Sequence, residues 1–342
     1  MSKAAELAAL IGSGQAQGDK NLIINGAMQI SQRGTSEASV TSSQYADAPD
    51  RFKVAITTGG TWTVSQSTTS PDGFSNSYKF DCTTANGSLS SDSNIQLLQR
   101  IEGQNLQRLA KGTSSAKSVT VSFYVRTNKT GTYTLELFDR DNTRVFSKTY
   151  TVSSADTWEF KSVTFAGDTS GALDNDNAVS LDVSWFLAAG TDFTSGTFSS
   201  GWASKTDANR VHSSQVNLAD STSNEWHITG VQLEVGDVAT AFEHEDIGIT
   251  LAKCHRYCYI APQHLGYTGS YTNVSPSGTI QFPTNMRAAP TVTGTHTPQS
   301  GNAGTFGVAS VNYSYTFVWN PDNNWSSGVA IVVSDFKADA EL

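Results

Sequence analysis

The feature that most constrains the fold is the strict alternation of apolar and polar residues along short runs. From Val119 to Arg126, apolar residues alternate with Thr, Ser, Tyr and Arg. This period of two is typical of a strand with one buried face and one face in water. Residues 133–137, 179–187 and 226–235 repeat the pattern, and no strand–helix–strand rhythm appears. The alternation therefore predicts an all-β chain, beginning with an antiparallel jelly-roll sandwich.

The length and the course of the pattern predict two domains. The chain has 342 residues, more than one core usually serves. Around residues 226–260 a strand-like segment ends, a turn follows and a helix-like run begins, which marks a boundary. We predict a second, smaller β-sandwich after it, with one short helix at the N-terminus and one between the two domains. The predicted parts are an N-terminal helix and linker (1–20), the jelly roll (21–245), a linker helix (246–260) and the C-terminal sandwich (261–342).

Four details of the first domain are also predicted. The phrases LIIN and MQISQ, within residues 22–32, read as its opening strands. In residues 157–165 (TWEFKSVTF) the apolar residues first fall at even positions, Trp158 and Phe160, and then at odd positions, Val163 and Phe165. A β-bulge near Lys161 would explain this change. Trp158 and Trp185, like Trp319 in the second domain, alternate with polar neighbours and are predicted to lie in the core. Residues 188–224 form a long loop, and a loop of this length is usually functional or mobile.

The linker region carries a possible apolar seam. Ile247, Leu251, Cys254 and Cys258 follow one another at spacings of 4, 3 and 4, close to the coiled-coil repeat. We predict that this stripe packs on the next domain or on sister chains. A zinc site is the alternative, but Cys254, His255 and Cys258 supply at most three ligands. Free cysteine also packs as a small apolar residue, so we predict no metal here.

Composition excludes several classes of function. The 22 basic and 31 acidic residues give a formal net charge of −9, which disfavours binding to nucleic acid or anionic membranes. No run approaches the roughly 18 apolar residues that span a bilayer, and no secretion signal is readable. The three cysteines give no disulfide framework. The glycine clusters lack the context of a nucleotide-binding loop, so no cofactor is predicted.

Catalysis is not predicted either. Neither a GxSxG nor an HExxH motif occurs. Asp174 and Asp176 could form a carboxylate pair, but they lie in a turn-like run where such residues are expected. Glu243, Glu245 and Asp246 precede the linker helix, whose dipole favours acids there.

Four aromatic residues outside the predicted strands are candidates for glycan binding. Sugars stack their apolar faces on aromatic rings, and Trp and Tyr add a polar group. The candidates are Trp202 in the long loop, Tyr267, Tyr271 and Trp325. The alternative is that these side chains close the open ends of a sandwich or pack between protomers.

Several phrases, in order, resemble bacteriophage fibre and tail proteins. They are NLIINGAMQISQRG at 21–34, QRIEGQNLQRLAKGTSSAKSVTVSFYVR at 99–126, QVNLADSTSNEWHITGVQLEVGDVATAFEH at 215–244, LAKCHRYCY at 251–259 and FPTNMRAAPTVT at 282–293. The resemblance implies a jelly roll akin to carbohydrate-binding modules, followed by a tip domain. It also implies a homotrimeric virion fibre or tail appendage, assembled in the host cytoplasm, that binds host-surface glycans. Residues 1–20 would dock it to tail or portal-proximal proteins.

One departure from that pattern concerns calcium. Related sugar-binding jelly rolls often carry an acidic residue in the opening strand, where calcium is held between the first and last strands. Here Ala27, Met28 and Gln29 follow Gly26, so Glu234 in the last strand lacks an acidic partner. Calcium prefers several carboxylate oxygens, and we predict no metal ligand here.

Two other functions stay open. A capsid head fibre or decoration protein would need no host contact. A polysaccharide depolymerase would cut the glycan, although the lack of a β-helix repeat favours binding.

Overall fold

Strands form where the alternation predicts them, and the all-β prediction is confirmed. The computed structural model describes residues 20–261, 264–269, 277–298, 307–319 and 329–342. The predicted N-terminal helix lies outside these residues. The chain divides into two units, one through Glu245 and one from Asp246.

Two six-stranded antiparallel sheets build the first unit. Sheet A has the order β1-β3-β4-β12-β6-β9, and sheet B has the order β11-β8-β7-β10-β5-β2. The strands are β1 (Ser36–Val40), β2 (Phe52–Thr57), β3 (Thr61–Ser67), β4 (Ser77–Thr84), β5 (Asn94–Glu102), β6 (Val119–Thr127), β7 (Gly131–Asp139), β8 (Arg144–Val152), β9 (Glu159–Phe165), β10 (Val179–Ala189), β11 (Ala203–Ser204) and β12 (Glu225–Val235).

The inner faces of both sheets share one apolar core. Trp62 and Trp226 from sheet A and Trp185 from sheet B are fully buried in it. Trp185 stands opposite Leu97 and Leu135 in the ladder, so the strictly alternating apolar residues of three neighbouring strands face inward together. The core position predicted for Trp185 is confirmed.

The predicted opening strands are wrong. Within the described part of the chain, the first strand begins at Ser36, and residues before it form turns. Asn25 and Met28 adopt left-handed backbone angles, with φ of 62° and 57°, which interrupt an extended path. Gly26 lies so close to the last strand that a Cβ would come 2.1 Å from the Val231 carbonyl oxygen. The apolar residues Leu22, Ile23 and Met28 of this segment are instead buried in the core, and the Leu22 amide donates to the Leu233 carbonyl of β12 at 2.8 Å.

The β-bulge predicted near Lys161 is also wrong. β9 pairs with β6 from Val119 opposite Phe165 to Val125 opposite Glu159 without a register shift. The apolar pattern changes because Phe160 points to the outer face while Val163 and Phe165 point to the core. Trp158 lies beside this outer face and is half-buried, so its predicted core position is wrong.

The long loop is an ordered cover on the outer face of sheet B. It contains a short helix, α1 (Thr191–Thr194), and strand β11. Arg210 pairs with the buried Glu136 through two hydrogen bonds, Nε to Oε2 at 2.9 Å and Nη2 to Oε1 at 2.6 Å. Its guanidinium also lies 5.6 Å from the ring centroid of Phe186. This ion pair fixes the loop to the sheet.

The linker helix is shorter than predicted. α2 spans Ile247–His255, and Asp246 caps it by accepting a hydrogen bond from the Gly248 amide at 2.8 Å. Ile247 is 57% exposed and Leu251 is half-buried, while Cys254 is buried. Cys258 is buried too, but it begins a strand after the helix. The four-residue helical seam is therefore wrong, because the helix ends before its last member.

The second unit also contains two antiparallel sheets. One has the order β13-β19-β14, with β16 also pairing with β19, and the other has the order β15-β18-β17. Its small buried core includes Ile280, Met286 and Phe336. In the described ranges, no helix is long and apolar enough to cross a membrane. The strands are β13 (Cys258–Ala261), β14 (His264–Gly269), β15 (Ser277–Gln281), β16 (Thr291–Pro298), β17 (Gly307–Val311), β18 (Tyr315–Trp319) and β19 (Val329–Asp339).

Replacing Arg210 by Leu should destabilise the first unit by about 3 to 5 kcal/mol, because it leaves the Glu136 carboxylate buried without its partner. Chemical denaturation measures the loss. The double variant Arg210→Leu/Glu136→Leu should lose less, since no buried charge remains, and Arg108→Ala at an exposed arginine should change stability by under about 0.5 kcal/mol. A single variant as stable as the double one would contradict this role.

Candidate functional site

Of the four predicted aromatic residues, Trp202 is the one whose side chain the structure describes. Trp202 is half-buried on the core, donates its indole N–H to the Ala166 carbonyl at 2.8 Å and meets the ring of Phe146. This placement favours the alternative that it closes an end of the sandwich. Tyr267 lies in β14, but its side chain is outside the described residues. Tyr271 and Trp325 lie outside them altogether.

A buried ion cluster lies under Trp202. Lys111 pairs with Asp139 and with Asp168, the latter at 3.1 Å, and Arg144 donates to Asp168 at 2.7 Å. Burial alone would raise the pKa of Asp168, but hydrogen bonds from Arg144, the Ser170 amide and Lys111 lower it. Two cations thus balance two carboxylates, as expected for a structural network.

The outer face of sheet B carries polar side chains that play no part in the core. In β10, Asp182 and Ser184 alternate with core residues and therefore point away from them. Asp182 stands opposite Arg100 of β5, and Ser184 stands opposite Leu98. We call Gln96, Arg100, Arg140, Asp182 and Ser184 the Asp182 site.

Asp182 is the centre of this site. Its side chain is only 2% exposed. Oδ2 accepts two hydrogen bonds from Arg140, at 2.9 and 2.5 Å. Oδ1 lies 3.5 Å from Arg100 Nε, yet within the described chain it accepts no hydrogen bond. The site thus holds a buried acceptor atom between two arginines.

The residues implicated in a calcium site make other contacts. Glu234 accepts hydrogen bonds from the Thr240 amide, the Thr240 hydroxyl and the Gln232 amide side chain, at 2.8, 2.7 and 2.8 Å. The Lys20 ammonium donates to the same Thr240 hydroxyl at 2.7 Å. Across residues 20–261 and the other described ranges, no group of three or more His, Cys, Asp or Glu is placed to hold a metal.

The outer face of sheet A differs because aromatic rings lie on it. Phe160 and Tyr124 have ring centroids 5.2 Å apart, and Tyr124 and Phe74 are 5.6 Å apart. Phe74 reaches the sheet because Gly230, at φ 61°, has no side chain; a Cβ there would lie 2.7 Å from the ring. Phe242 continues the row, 5.0 Å from Phe74.

A charged network adjoins this aromatic row. Glu225 pairs with Lys79 at 2.9 Å and with Arg126 at 2.5 Å, and Arg126 also reaches Asp156 at 3.1 Å. Burial would raise the pKa of Glu225, but hydrogen bonds from Lys79 and Arg126 lower it to about 2. Its carboxylate therefore stays ionised.

His227 lies beneath this network and is 2% exposed. Burial is the main cause that lowers its pKa to about 4; Arg126 and Lys79 add to the effect, and Glu225 opposes it. Because the Ser77 hydroxyl donates to the Thr69 carbonyl at 2.6 Å, His227 Nδ1 donates to Ser77 Oγ. The lone pair is then on Nε2, which accepts no hydrogen bond from any described residue.

Ser77, His227 and Glu225 have the composition of a hydrolase triad but not its arrangement. The Ser77 proton is directed to a backbone carbonyl, and the side chain is fully buried. The imidazole therefore cannot act as base toward this hydroxyl, as a triad requires.

No protein-family model and no curated protein matches the chain. Solved structures with some similarity include the enzymatically active domain of tailspike protein 4 of bacteriophage CBA120, at 12% identity and TM-score 0.33, with 63% of this chain but only 21% of that chain covered. A putative sugar-binding protein of Bacteroides thetaiotaomicron matches at 14% identity and TM-score 0.34, over 63% and 99% of the two chains. A carbohydrate-binding module of family 4 matches at 14% and 0.32, over 62% and 97%.

Sequence reasoning missed both outer-face clusters. The signal for Asp182 was present, since a charged residue at the middle of a core strand must point outward and needs a partner. The signal for Trp158 was misread, because an aromatic residue next to an edge strand can lie on either face.

Stability should depend on pH through His227. Its folded pKa is about 4 against 6.5 unperturbed, so its contribution is complete above pH 6.5 and is lost as the pH falls toward 4. The loss is roughly 3 kcal/mol. Urea unfolding at several pH values should show a shallower decline for His227→Gln than for the wild type. If the free energy of unfolding declined equally steeply with falling pH in both proteins, the imidazole of His227 would not titrate in this range.

Proposed function

We propose that this protein binds glycans non-covalently, with the Asp182 site as one point of contact. The observation that carries the proposal is the buried Oδ1 of Asp182, which accepts no hydrogen bond from any described residue and lies on a face that the core does not use. A buried acceptor without a partner costs about 1 to 3 kcal/mol, and a ligand hydroxyl that donates to it would recover this. Arg140, whose side chain is 35% exposed, would move outward to admit the hydroxyl.

The neighbouring groups suit a sugar. Arg100 and Arg140 supply N–H donors, and Gln96 and Ser184 supply both donors and acceptors. Sugar hydroxyls are donors and acceptors at once, so alternating partners on a rigid strand pair can fix their orientation. A rigid platform also limits the entropy lost on binding.

Binding is favoured over cleavage. A glycosidase needs a carboxyl group that can donate a proton beside a second carboxylate. Asp182 and Glu136, on this same face, each pair with an arginine instead of lying in the apolar surroundings that favour a general acid. A depolymerase is the alternative; incubation with host capsule or lipopolysaccharide would then release fragments.

The biological setting we propose is a bacteriophage virion, as a homotrimeric tail fibre or fibre-like appendage. The ordered phrases shared with such proteins support this. Residues 1–20 would dock to tail or portal-proximal proteins, and the domains would meet host glycans. Three copies on one axis would raise the avidity of weak sites. A head decoration protein is the alternative, and a map of the intact particle distinguishes head from tail.

Arg140→Gln should weaken glycan binding by about tenfold or more, because it removes donors and changes the pairing of Asp182. A glycan array followed by calorimetry on the best ligand measures this. Lys117→Gln, which removes one positive charge just before a sheet A strand, should bind like the wild type. An Arg140→Gln protein that binds the glycan as tightly as the wild type would contradict the assignment of the Asp182 site.

The trimer should be visible in solution. Light scattering on the full chain at micromolar concentration should give three times the monomer mass of 36.5 kDa. A monomer under these conditions would count against the fibre assignment, while leaving the glycan site testable on its own.

A further inference from the structure

We infer that the outer face of sheet A is a second glycan-binding site, specific for neutral sugars, with Trp158 and Phe160 as its stacking platform. We call Trp158, Phe160, Tyr124, Lys79, Arg126, Glu225 and His227 the Trp158 site. It lies on the sheet opposite to the Asp182 site and does not depend on that proposal.

The platform is accessible and rigidly held. Phe160 is 50% exposed in β9, the edge strand of sheet A, and Trp158 immediately precedes that strand. Residues two apart on an extended chain are roughly 7 Å apart on the same face. An oligosaccharide lying along the edge could therefore contact both rings. Tyr124 supports Phe160 from the neighbouring strand, with centroids 5.2 Å apart.

Polar groups lie beside the rings, as sugar recognition requires. The β6–β9 register brings Arg126 next to Trp158, one residue beyond the last pair, Val125 with Glu159. In the other direction Arg126 stands opposite His227, which stands opposite Lys79. Trp158, Arg126, His227 and Lys79 thus form a row that starts just before β9 and crosses β6 and β12 to β4. Stacking would give affinity, and these groups would fix the orientation of the hydroxyls.

Two buried polar atoms beneath this row provide a second, independent observation. His227 Nε2 and Thr229 Oγ1 point to the same outer face, two residues apart. Neither makes a geometrically good hydrogen bond to a described residue, and the nearest printed group to Nε2 is the Glu225 carboxylate, at 3.5 Å. Both side chains are almost fully buried. The indole of Trp158 lies against His227, with centroids 6.0 Å apart. Buried polar atoms normally have a hydrogen-bond partner. A sugar hydroxyl, or a water molecule held under a bound sugar, would supply the missing hydrogen bonds.

The charges favour a neutral ligand. Lys79 and Arg126 are opposed by Glu225, Asp81 and Asp156, so the cluster has two positive and three negative charges. Both cations are already paired with carboxylates. A sulfated or uronic-acid polymer would meet no unbalanced positive charge, and the net charge of −9 would repel it.

A protein partner is the main alternative occupant. The aromatic row is flanked directly by charged side chains, whereas a stable protein interface has an apolar centre depleted of charge. We therefore favour a sugar, and the experiment separates the two.

The test is hydroxyl-radical footprinting of the full chain with cellohexaose, mannohexaose and xylohexaose, and with dextran sulfate as the anionic probe. At about 10 mM, enough to saturate millimolar sites, at least one neutral oligosaccharide should protect Trp158 and Phe160. Dextran sulfate should not. Protection that grows only with protein concentration would indicate a protein interface and overturn the inference, as would no protection by any neutral sugar.

Variants then identify the contribution of the rings. Trp158→Ala should lower the affinity for the protecting sugar by about tenfold, and Phe160→Ala by less. Tyr313→Ala, which removes an exposed ring in the second unit, is the matched control and should bind normally. Arg140→Gln should leave protection at Trp158 intact, so failure of the Asp182 site is distinguishable from failure of this one. Unchanged affinity of a folded Trp158→Ala protein would overturn the inference.

Discussion

The shared apolar core between sheets A and B is the interaction on which the rest of the first unit depends. Three fully buried tryptophans and the alternating apolar residues of both sheets occupy it. Each strand has only two faces, so committing the inner faces to this core leaves the outer faces for polar and functional groups. That constraint places Asp182 on one outer face and His227 on the other, although both belong to core strands.

The two outer faces are then used differently. The long loop covers part of sheet B and is fixed there by the pairing of Arg210 with Glu136. Beside it, the Asp182 carboxylate is buried between two arginines, and its Oδ1 accepts no hydrogen bond from the described residues. On sheet A an aromatic row remains half-exposed beside an ion network centred on Glu225. One sandwich therefore presents a buried polar site and an open aromatic site on opposite sides.

The errors of sequence reading have physical causes. The opening segment is apolar enough for strands, but left-handed backbone angles at Asn25 and Met28 interrupt its extended path. The apolar pattern changes around Lys161 because Phe160 points to the outer face, while the pairing of β9 with β6 continues without a register shift. Cys258 follows the spacing of the helical seam, yet the helix has already ended. In each case a local pattern fits two arrangements, and only the neighbouring strands distinguish them.

The sequence by itself determined the all-β class and the inward residues of strictly alternating strands such as β6 and β10, because alternation depends only on the period of an extended chain. Only the tertiary structure decided which distant outward residues become neighbours. Arg140 meets Asp182, and Trp158 meets His227, through the order and register of antiparallel strands. Register joins residues far apart in sequence, so no local pattern in one chain encodes it.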